Sequence, residues 1–541
     1  MERTGREKLL LFMLCFMTAY HFIARLGLAL DIQWHTDVGR DQLLTPPHLM
    51  IISGLFPTLA LCFLYIFLET RDLRRGKEIK GMKIGFFISP VGIWMTVSGL
   101  LTILIGGIYD DYWHAEFGID TTVVTPPHML TIGGGMIAEL ACAILIIQAK
   151  RKWGEKAPKY LDWLLIVTMW TLLIHGHFTA MNFLDSRVAI WSIGSVELLP
   201  HIFLAPFAIL SVISFVKHWL GDSGVLRLAG LTLSIQLGML LFIPTLVDAM
   251  MGPEHVYRPG APNTVWAANC MPWLLLPASY IICRYNLWKK PIQLALAIIV
   301  ADAIWLPTMP DYFPLEVHPT GLAFSVIIGI IFLRYTQSLI HRFISSMDSL
   351  TDEKSINFKL PKIGKPSTVI VVLMAFLLMP ATVGSAHELH REEGQGFDAP
   401  MRLLIDVNGT EIWAEFMLWP PKATQGCELF LLPSANVTTE IDNMWVEIVF
   451  QPGPDEVRMI QYFEKYSDQQ MWHAELNFPF GGENDLEIYI EIDGEESVYV
   501  LPLQVDAPSI LPVWLAWTIS SIWVFGLTYY WYRTGLVEGI E

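Results

Sequence analysis

Asp31-Ile32-Gln33-Trp34-His35-Thr36-Asp37-Val38-Gly39-Arg40-Asp41-Gln42-Leu43-Leu44-Thr45-Pro46-Pro47-His48 returns later in the chain as Asp110-Asp111-Tyr112-Trp113-His114-Ala115-Glu116-Phe117-Gly118-Ile119-Asp120-Thr121-Thr122-Val123-Val124-Thr125-Pro126-Pro127-His128. Asp, Trp, His, Gly, Asp, Thr, Pro, Pro and His recur in that order, with one residue inserted before the final Thr of the second copy. The repeat keeps a carboxylate, two imidazoles and the backbone punctuation between them, while the other positions drift. Asp and His at i and i+4 share one face of a helix. Thr-Pro-Pro is a helix start signal, with Thr as N-cap and proline tolerated in the first turn. Gly39 and Gly118 let the intervening backbone reverse. Each copy is therefore predicted to be a helical hairpin. Asp31 and His35, or Asp110 and His114, lie on the outgoing helix; His48 or His128 lies on the returning one, with Trp34 or Trp113 as an apolar wall.

Working outward, the chain has 541 residues, 53% hydrophobic and only 16% charged, with mean hydropathy +0.45. A soluble domain carries roughly 25% charged residues, so this composition is that of a polytopic membrane protein. Apolar runs long enough to cross a bilayer, about 17–25 residues, fall at 9–30, 45–69, 84–108, 127–148, 160–182, 199–216, 228–248, 265–283, 291–309 and 318–340. Two more, at 367–384 and 509–531, bracket a segment that is not membrane-like. The expected fold class is an all-α membrane bundle of ten plus two helices with an external all-β sandwich near the C-terminus.

Lysine and arginine set the expected orientation. With alternate ends cytoplasmic, 26 of the 35 basic residues fall on the inner side. Both termini are then inside, and both Thr-Pro-Pro-His turns and the β domain are on the extracytoplasmic face of the plasma membrane. The net charge of −17 is localised: residues 387–507 hold 24 acidic and 5 basic residues. Such a surface is read as solvated or as a gatherer of cations, and nucleic acid is excluded as a partner. The N-terminal run reads as a retained anchor rather than a cleaved signal.

The expected domains are a bundle over 1–340 with the duplicated hairpins at 25–69 and 104–148, a polar cytoplasmic linker over 341–365 and a span over 366–386. A sandwich over 387–507 and a last span with a short tail over 508–541 complete the chain. The sandwich, immunoglobulin-like or cupredoxin-like, is read from alternating runs at 402–407, 411–418, 428–432, 444–450, 458–463, 472–478, 486–492 and 498–505, separated by Gly, Pro, Asn and Asp. It has a single cysteine, Cys427, so no disulfide within it is expected. Small residues at Gly384 and Ala386 resemble a signal-peptidase site; cleavage there would expose His387 beside His390, both candidate surface ligands, and the alternative is an uncleaved span followed by a polar stalk.

Two histidines and one carboxylate with open positions make a competent transition-metal site. The competing reading is that Asp and His simply pair or cap helix ends. Residue types alone leave copper, zinc and iron open. The spacings Asp-x3-His-x12-His and Asp-x3-His-x13-His resemble the C subunit of the copper-dependent membrane monooxygenases, the particulate methane and ammonia monooxygenases. The resemblance covers about residues 25–150. It implies copper at Asp31, His35 and His48 and at Asp110, His114 and His128, other membrane subunits as partners, and a small apolar or gaseous substrate arriving through lipid. Asp110 departs from the Asn of methane-oxidising members, and the chain is longer than that subunit.

Weaker echoes follow. Leu199-Pro200-His201 ends the third outer turn, Asp248 and His255 mark the fourth, and Asp302, Asp311 and His318 the fifth. His175 and His177, at i and i+2, cannot share a helical face, so one is expected to bond between helices; either is a candidate for a metal or proton role. Arg25 is read as offsetting the charge of Asp31. Three functions stay open from sequence: a copper monooxygenase or a subunit of one, a copper-handling protein, and a metal-free accessory subunit.

Overall fold

The computed structural model describes residues 4–37, 45–117, 125–182, 191–193, 196–199, 201–251, 272, 274–303, 319–351, 356–357, 401–417, 419–422, 426–434, 441–450, 457–465, 471–478, 482–492, 494–506 and 513–538. The expected span at 367–384, and with it His387 and His390, lies outside the described residues, as do His255, Asp311 and His318.

The first helix, α1 (Gly5–Asp37), opens on a capping box. The Glu7 amide donates to Thr4 Oγ1 at 3.3 Å and the Thr4 amide donates to Glu7 Oε2 at 3.0 Å, which satisfies two of the donors a helix start leaves over. The returning segment is a short α2 (Pro46–Ile52) and α3 (Leu55–Arg74). A two-strand hairpin, β1 (Met82–Ile84) and β2 (Phe87–Ser89), precedes α4 (Val91–Phe117), so the start of the run expected at 84–108 is strand rather than helix. Then follow α5 (Pro126–Trp153), α6 (Tyr160–Asn182), and β3 (Trp191–Ile193) paired with β4 (Val196–Leu198).

The two expected spans at 199–216 and 228–248 are the halves of α7 (His201–Met251), broken at Gly221 with φ 68° and ψ −165°. That left-handed φ is one that side chains bearing a Cβ rarely take. Of the expected runs at 265–283 and 291–309, the described residues form α8 (Leu275–Arg284) and α9 (Pro291–Ala303). A long α10 (Pro319–Ser349) and a last helix, α11 (Val513–Glu538), complete the bundle. Helix α10 runs on into the segment expected to be polar linker. Its end is tethered to α5: Gln148 Nε2 donates to Leu350 O at 2.7 Å, and Arg151 pairs with Asp348. Beyond it, β5 (Ile356–Asn357) joins β1 in parallel.

Among the described residues seven helices are long and apolar enough to cross a membrane: Gly5–Asp31, Pro46–Arg74, Val91–Asp110, Pro126–Lys156, Tyr160–Ala180, Ile202–Ile243 and Gly321–Ser349. Helix α11 has the length, at 26 residues, but is richer in Trp, Tyr, Ser and Thr.

Helices in lipid gain nothing from burying apolar surface against one another, so close approach through small residues holds them. Here Gly92, Gly99 and Gly106 line α4 at seven-residue intervals. A Cβ on Gly99 would lie 2.6 Å from Gly134 O, and one on Gly92 would lie 2.5 Å from Leu145 Cγ. Helix α11 closes the same pair from outside: a Cβ on Gly133 would meet Val524 at 2.5 Å. Trp523 Nε1 donates to Thr102 Oγ1 at 3.0 Å and Trp531 Nε1 to Ser98 Oγ at 3.2 Å.

The C-terminal β region has two antiparallel sheets. In one, β6 (Met401–Val407), β7 (Thr410–Phe416), β8 (Gly426–Pro433), β12 (Trp472–Asn477) and β11 (Glu464–Lys465) lie side by side in that order. In the other, the order is β10 (Val457–Tyr462), β9 (Asn443–Phe450), β13 (Gly482–Ile492) and β14 (Glu495–Val505). Residues at alternate positions from both sheets, among them Ile412, Phe416 and Leu431 facing Val446, Ile488 and Leu503, share one buried core. Cys427 is a buried free thiol within it.

On the outer face of the second sheet, the Tyr489 hydroxyl donates to Glu487 Oε2 at 2.6 Å, and Arg458 Nη1 donates to the same oxygen at 2.8 Å. These bonds hold the Glu487 carboxyl below its usual range, and the bond to Glu487 pushes Tyr489 up to about 12. A lowered carboxylate contributes stability that is present above its unfolded value and is lost as pH falls through the folded one. The tyrosine's contribution is present below about 10 and is lost as pH rises through about 12. Hydrogen-exchange protection factors of the 443–450 and 482–492 peptides in the full-length protein, corrected for the intrinsic pH dependence of exchange, should therefore fall at both extremes of pH. Tyr489→Phe should weaken both dependences. For the bundle, Gly99→Ala should cost about 1–3 kcal/mol by overpacking, read as a lower thermal midpoint in detergent. Gly107→Ala, whose Cβ would meet nothing within 4 Å, should not.

Candidate functional site

Both Thr-Pro-Pro turns start helices as expected. Thr45 and Thr125 take extended N-cap geometry with proline at N1 and N2, and neither hydroxyl makes a capping bond. The paired prolines have already removed two of the N–H groups a cap would serve. The chain enters the helix through the carbonyls instead: Leu49 N donates to Thr45 O at 2.9 Å and Met129 N to Thr125 O at 2.8 Å. This fixes His48 and His128 at equivalent places in the first turn.

In each hairpin that histidine meets the aspartate of the outgoing helix. His48 Nε2 lies 3.3 Å from Asp31 Oδ1, and His128 Nε2 lies 3.5 Å from Asp110 Oδ1. The side chains are partly shielded, with 28% and 33% exposure at the histidines and 13% and 23% at the aspartates. Trp113 is buried, its ring edge-on to Tyr109 with centroids 6.2 Å apart. His35 and His114 lie within helical backbone one turn beyond the aspartates, and their side chains, like that of Trp34, are outside the described set. Among the described residues no group of three or more His, Cys, Asp or Glu side chains that could hold a metal ion is found.

A glycine one turn before each aspartate explains how the helices come so close. A Cβ on Gly27 would lie 2.9 Å from Met50 Cβ and 3.2 Å from Ile51 N; one on Gly106 would lie 2.5 Å from Thr131 Oγ1 and 2.9 Å from Thr131 N. Ile51 and Thr131 each stand three residues after the histidine, so the same backbone contact recurs in both copies. The pattern is thus Gly-x3-Asp-x3-His, with Gly27 and Gly106 extending the repeat N-terminally. The sequence carried this signal, and reading the repeat from its aspartate passed over it.

Distance separates two kinds of acid–histidine contact. Charge-assisted N–H···O bonds run at about 2.7–2.9 Å. Two ligands each about 2.0–2.1 Å from one tetrahedral ion stand about 3.3 Å apart. The hairpin pairs, at 3.3 and 3.5 Å, are longer than a charge-assisted bond. The pairs deeper in the bundle are closer: His175 Nδ1 is 3.1 Å from Glu139 Oε2, and His177 Nε2 is 2.6 Å from Asp302 Oδ1, all four residues buried. Both α6 histidines, not one, bond between helices, His175 to α5 and His177 to α9. Glu139 was not singled out from sequence, although a carboxylate within so apolar a run was itself the signal. Arg25 pairs with it, Nε to Oε1 at 3.5 Å. His201 is the first residue of α7, and its side chain, like that of Asp248, is outside the described set.

No family model, curated protein or solved structure matches this chain.

Removing one partner of a buried pair leaves the other uncompensated. Asp302→Asn should therefore cost about 1–3 kcal/mol, read as a lower thermal midpoint of the full-length protein in detergent.

Proposed function

We propose that this chain is an integral membrane protein that binds copper at two equivalent Asp/His/His hairpins. The observation that carries the reading is the recurrence of one geometry: His48 on Asp31 and His128 on Asp110, at 3.3 and 3.5 Å, each behind a glycine that brings the helices together. A chance capping contact has no reason to recur with the same glycine, prolines and offset. The donor set fits a divalent transition metal, since a carboxylate and neutral imidazoles leave coordination positions open. Copper is favoured over zinc and iron by the x12 and x13 spacings that resemble the monooxygenase C subunit. In each hairpin, Asp31 or Asp110 would contribute negative charge, and His35 with His48, or His114 with His128, the nitrogen donors. Bound copper supplies one-electron redox chemistry.

By that resemblance the substrate is small and apolar or gaseous and reaches the hairpins through lipid, with other membrane subunits as partners. The basic residues orient the hairpins and the β domain to the extracytoplasmic face of the plasma membrane, with twelve spans in all. The β domain, immunoglobulin-like or cupredoxin-like, stands on that side. A second reading, capture and delivery of copper, is favoured by the partial exposure of His48 and His128 and by the acidity of residues 387–507. A metal-free accessory subunit is the reading that the experiment below would leave.

Metal analysis of the purified full-length protein should find about two copper ions per chain, as expected for two separate three-ligand sites. Each of His48→Ala and His128→Ala should lose one. Gly27→Leu and Gly106→Leu, which push the helices apart, should do the same while both histidines remain. Unchanged metal content in the two alanine variants would remove both copper readings. Turnover of a small apolar substrate by the copper-loaded protein, abolished in His128→Ala, then separates oxidation from delivery.

A further inference from the structure

A second group of ionisable side chains lies inside the bundle, away from the hairpins. Glu139 on α5 is fully buried between His175 of α6 and Arg25 of α1. His21, one turn before Arg25 on α1, is also buried and interacts electrostatically with Glu139, Arg25 and His175. Tyr20 of α1 and Cys142 of α5 are further titratable groups within electrostatic reach of Glu139. Helix α7 brings Ala208 against Gly176, and α11 brings Val524 against Gly133, neither of them titratable. Glu139 lies 13 residues into the Pro126–Lys156 span, about 20 Å along its axis and so near the middle of a hydrocarbon core about 30 Å thick.

Three observations set this group apart from a structural ion pair. Arg25 already balances the charge of Glu139, so the two imidazoles are additional. Room has been kept for one of them: a Cβ on Gly135 would lie 2.7 Å from His175 Cε1. The group also has unused hydrogen-bonding capacity at His21 Nε2, which is buried without a hydrogen-bond partner, while Arg25 Nε and Glu139 Oε1 face each other only at 3.5 Å. Buried ion pairs of this sort can often be replaced by apolar side chains at no loss of stability, so stability alone does not account for four ionisable groups at this depth.

We propose that Arg25, Glu139, His175 and His21 form a proton-exchange site within the membrane-spanning bundle. Arg25 keeps Glu139 in its carboxylate form. His175 holds its Nδ1 hydrogen on Glu139 Oε2, and a proton delivered by hydronium adds to the lone pair of His175 Nε2 or of the open nitrogen of His21, leaving water. The imidazolium so formed faces the Glu139 carboxylate, which offsets its charge. Release is the reverse step. The site does not depend on the metal reading of the hairpins.

The test is nitrogen NMR of the full-length protein in lipid nanodiscs, with ring-15N histidine, between about pH 5 and 8. Resonances are assigned by their loss in His175→Gln and in His21→Gln, with His177→Gln as control. A signal assigned to His175 or His21 should move from the neutral to the imidazolium position as pH falls. Its midpoint should drop by about one unit or more in Glu139→Gln, as for loss of a close opposite charge. Chelator-treated protein should behave identically, which keeps the outcome separate from that of the hairpins. Both signals staying at the neutral position across the range in the wild-type protein would overturn the proposal, and that result needs no variant at position 139 to fold.

Discussion

Lipid leaves little to hold helices together except shape, and in this chain shape is supplied by glycine. Gly27 seats α1 on the backbone of α2, Gly54 makes room for the Tyr20 ring, and Gly92, Gly99 and Gly106 lay α4 along α5. Each contact is so close that a Cβ would overlap the neighbouring helix. The seven-residue spacing along α4 keeps its contact on one face, since seven residues fall about 20° short of two helical turns. The hairpin pairs and the seat of His175 depend on this closeness. An aspartate side chain is short, and it meets a histidine on another helix only where the two backbones nearly touch.

The polar groups are graded by depth and by partner. At the end where α1 and α4 finish, Asp31 and Asp110 face His48 and His128 at 3.3 and 3.5 Å. Further in, Asp302 holds His177 in a short hydrogen bond, and Glu139 is shared between His175 and Arg25. At the opposite ends of the same helices the charge is of another kind. Arg6 pairs with Glu69 at 2.9 Å and also with Asp72, while Lys150, Arg151 and Lys152 occupy the last turn of α5. There they also complement the helix dipole. The bundle thus has one end built of cations and another built of acid–imidazole pairs. A partnerless carboxylate in hydrocarbon would be neutralised or expelled, which is why every described intramembrane acid sits against a cation or an imidazole.

The β region obeys a different solvent. Its two sheets bury alternate apolar residues in a common core, so period-two alternation was readable directly. Strands expected at 402–407, 428–432, 444–450 and 486–492 lie within β6, β8, β9 and β13. The membrane part was readable at its long uninterrupted runs and less so where polar or bending residues intrude. Pro90 and the strands before it shorten the third run, and Gly221 joins two runs through a break.

The sequence by itself determined the duplicated hairpins, the helix starts at Pro46 and Pro126, the apolar spans and the alternation of the strands. These are local: a cap, a proline or a period of two or 3.6 residues acts through neighbours in the chain. Tertiary structure decided which imidazole meets which carboxylate. His175 and His177 stand two residues apart on α6, yet one faces Glu139 and the other Asp302 because successive residues point about 100° apart toward different helices. Arg25, six residues from Asp31, turns instead to Glu139 on α5, a partner more than a hundred positions away. No periodicity encodes such pairings, for they arise only when packing fixes how closely, and by which face, the helices approach.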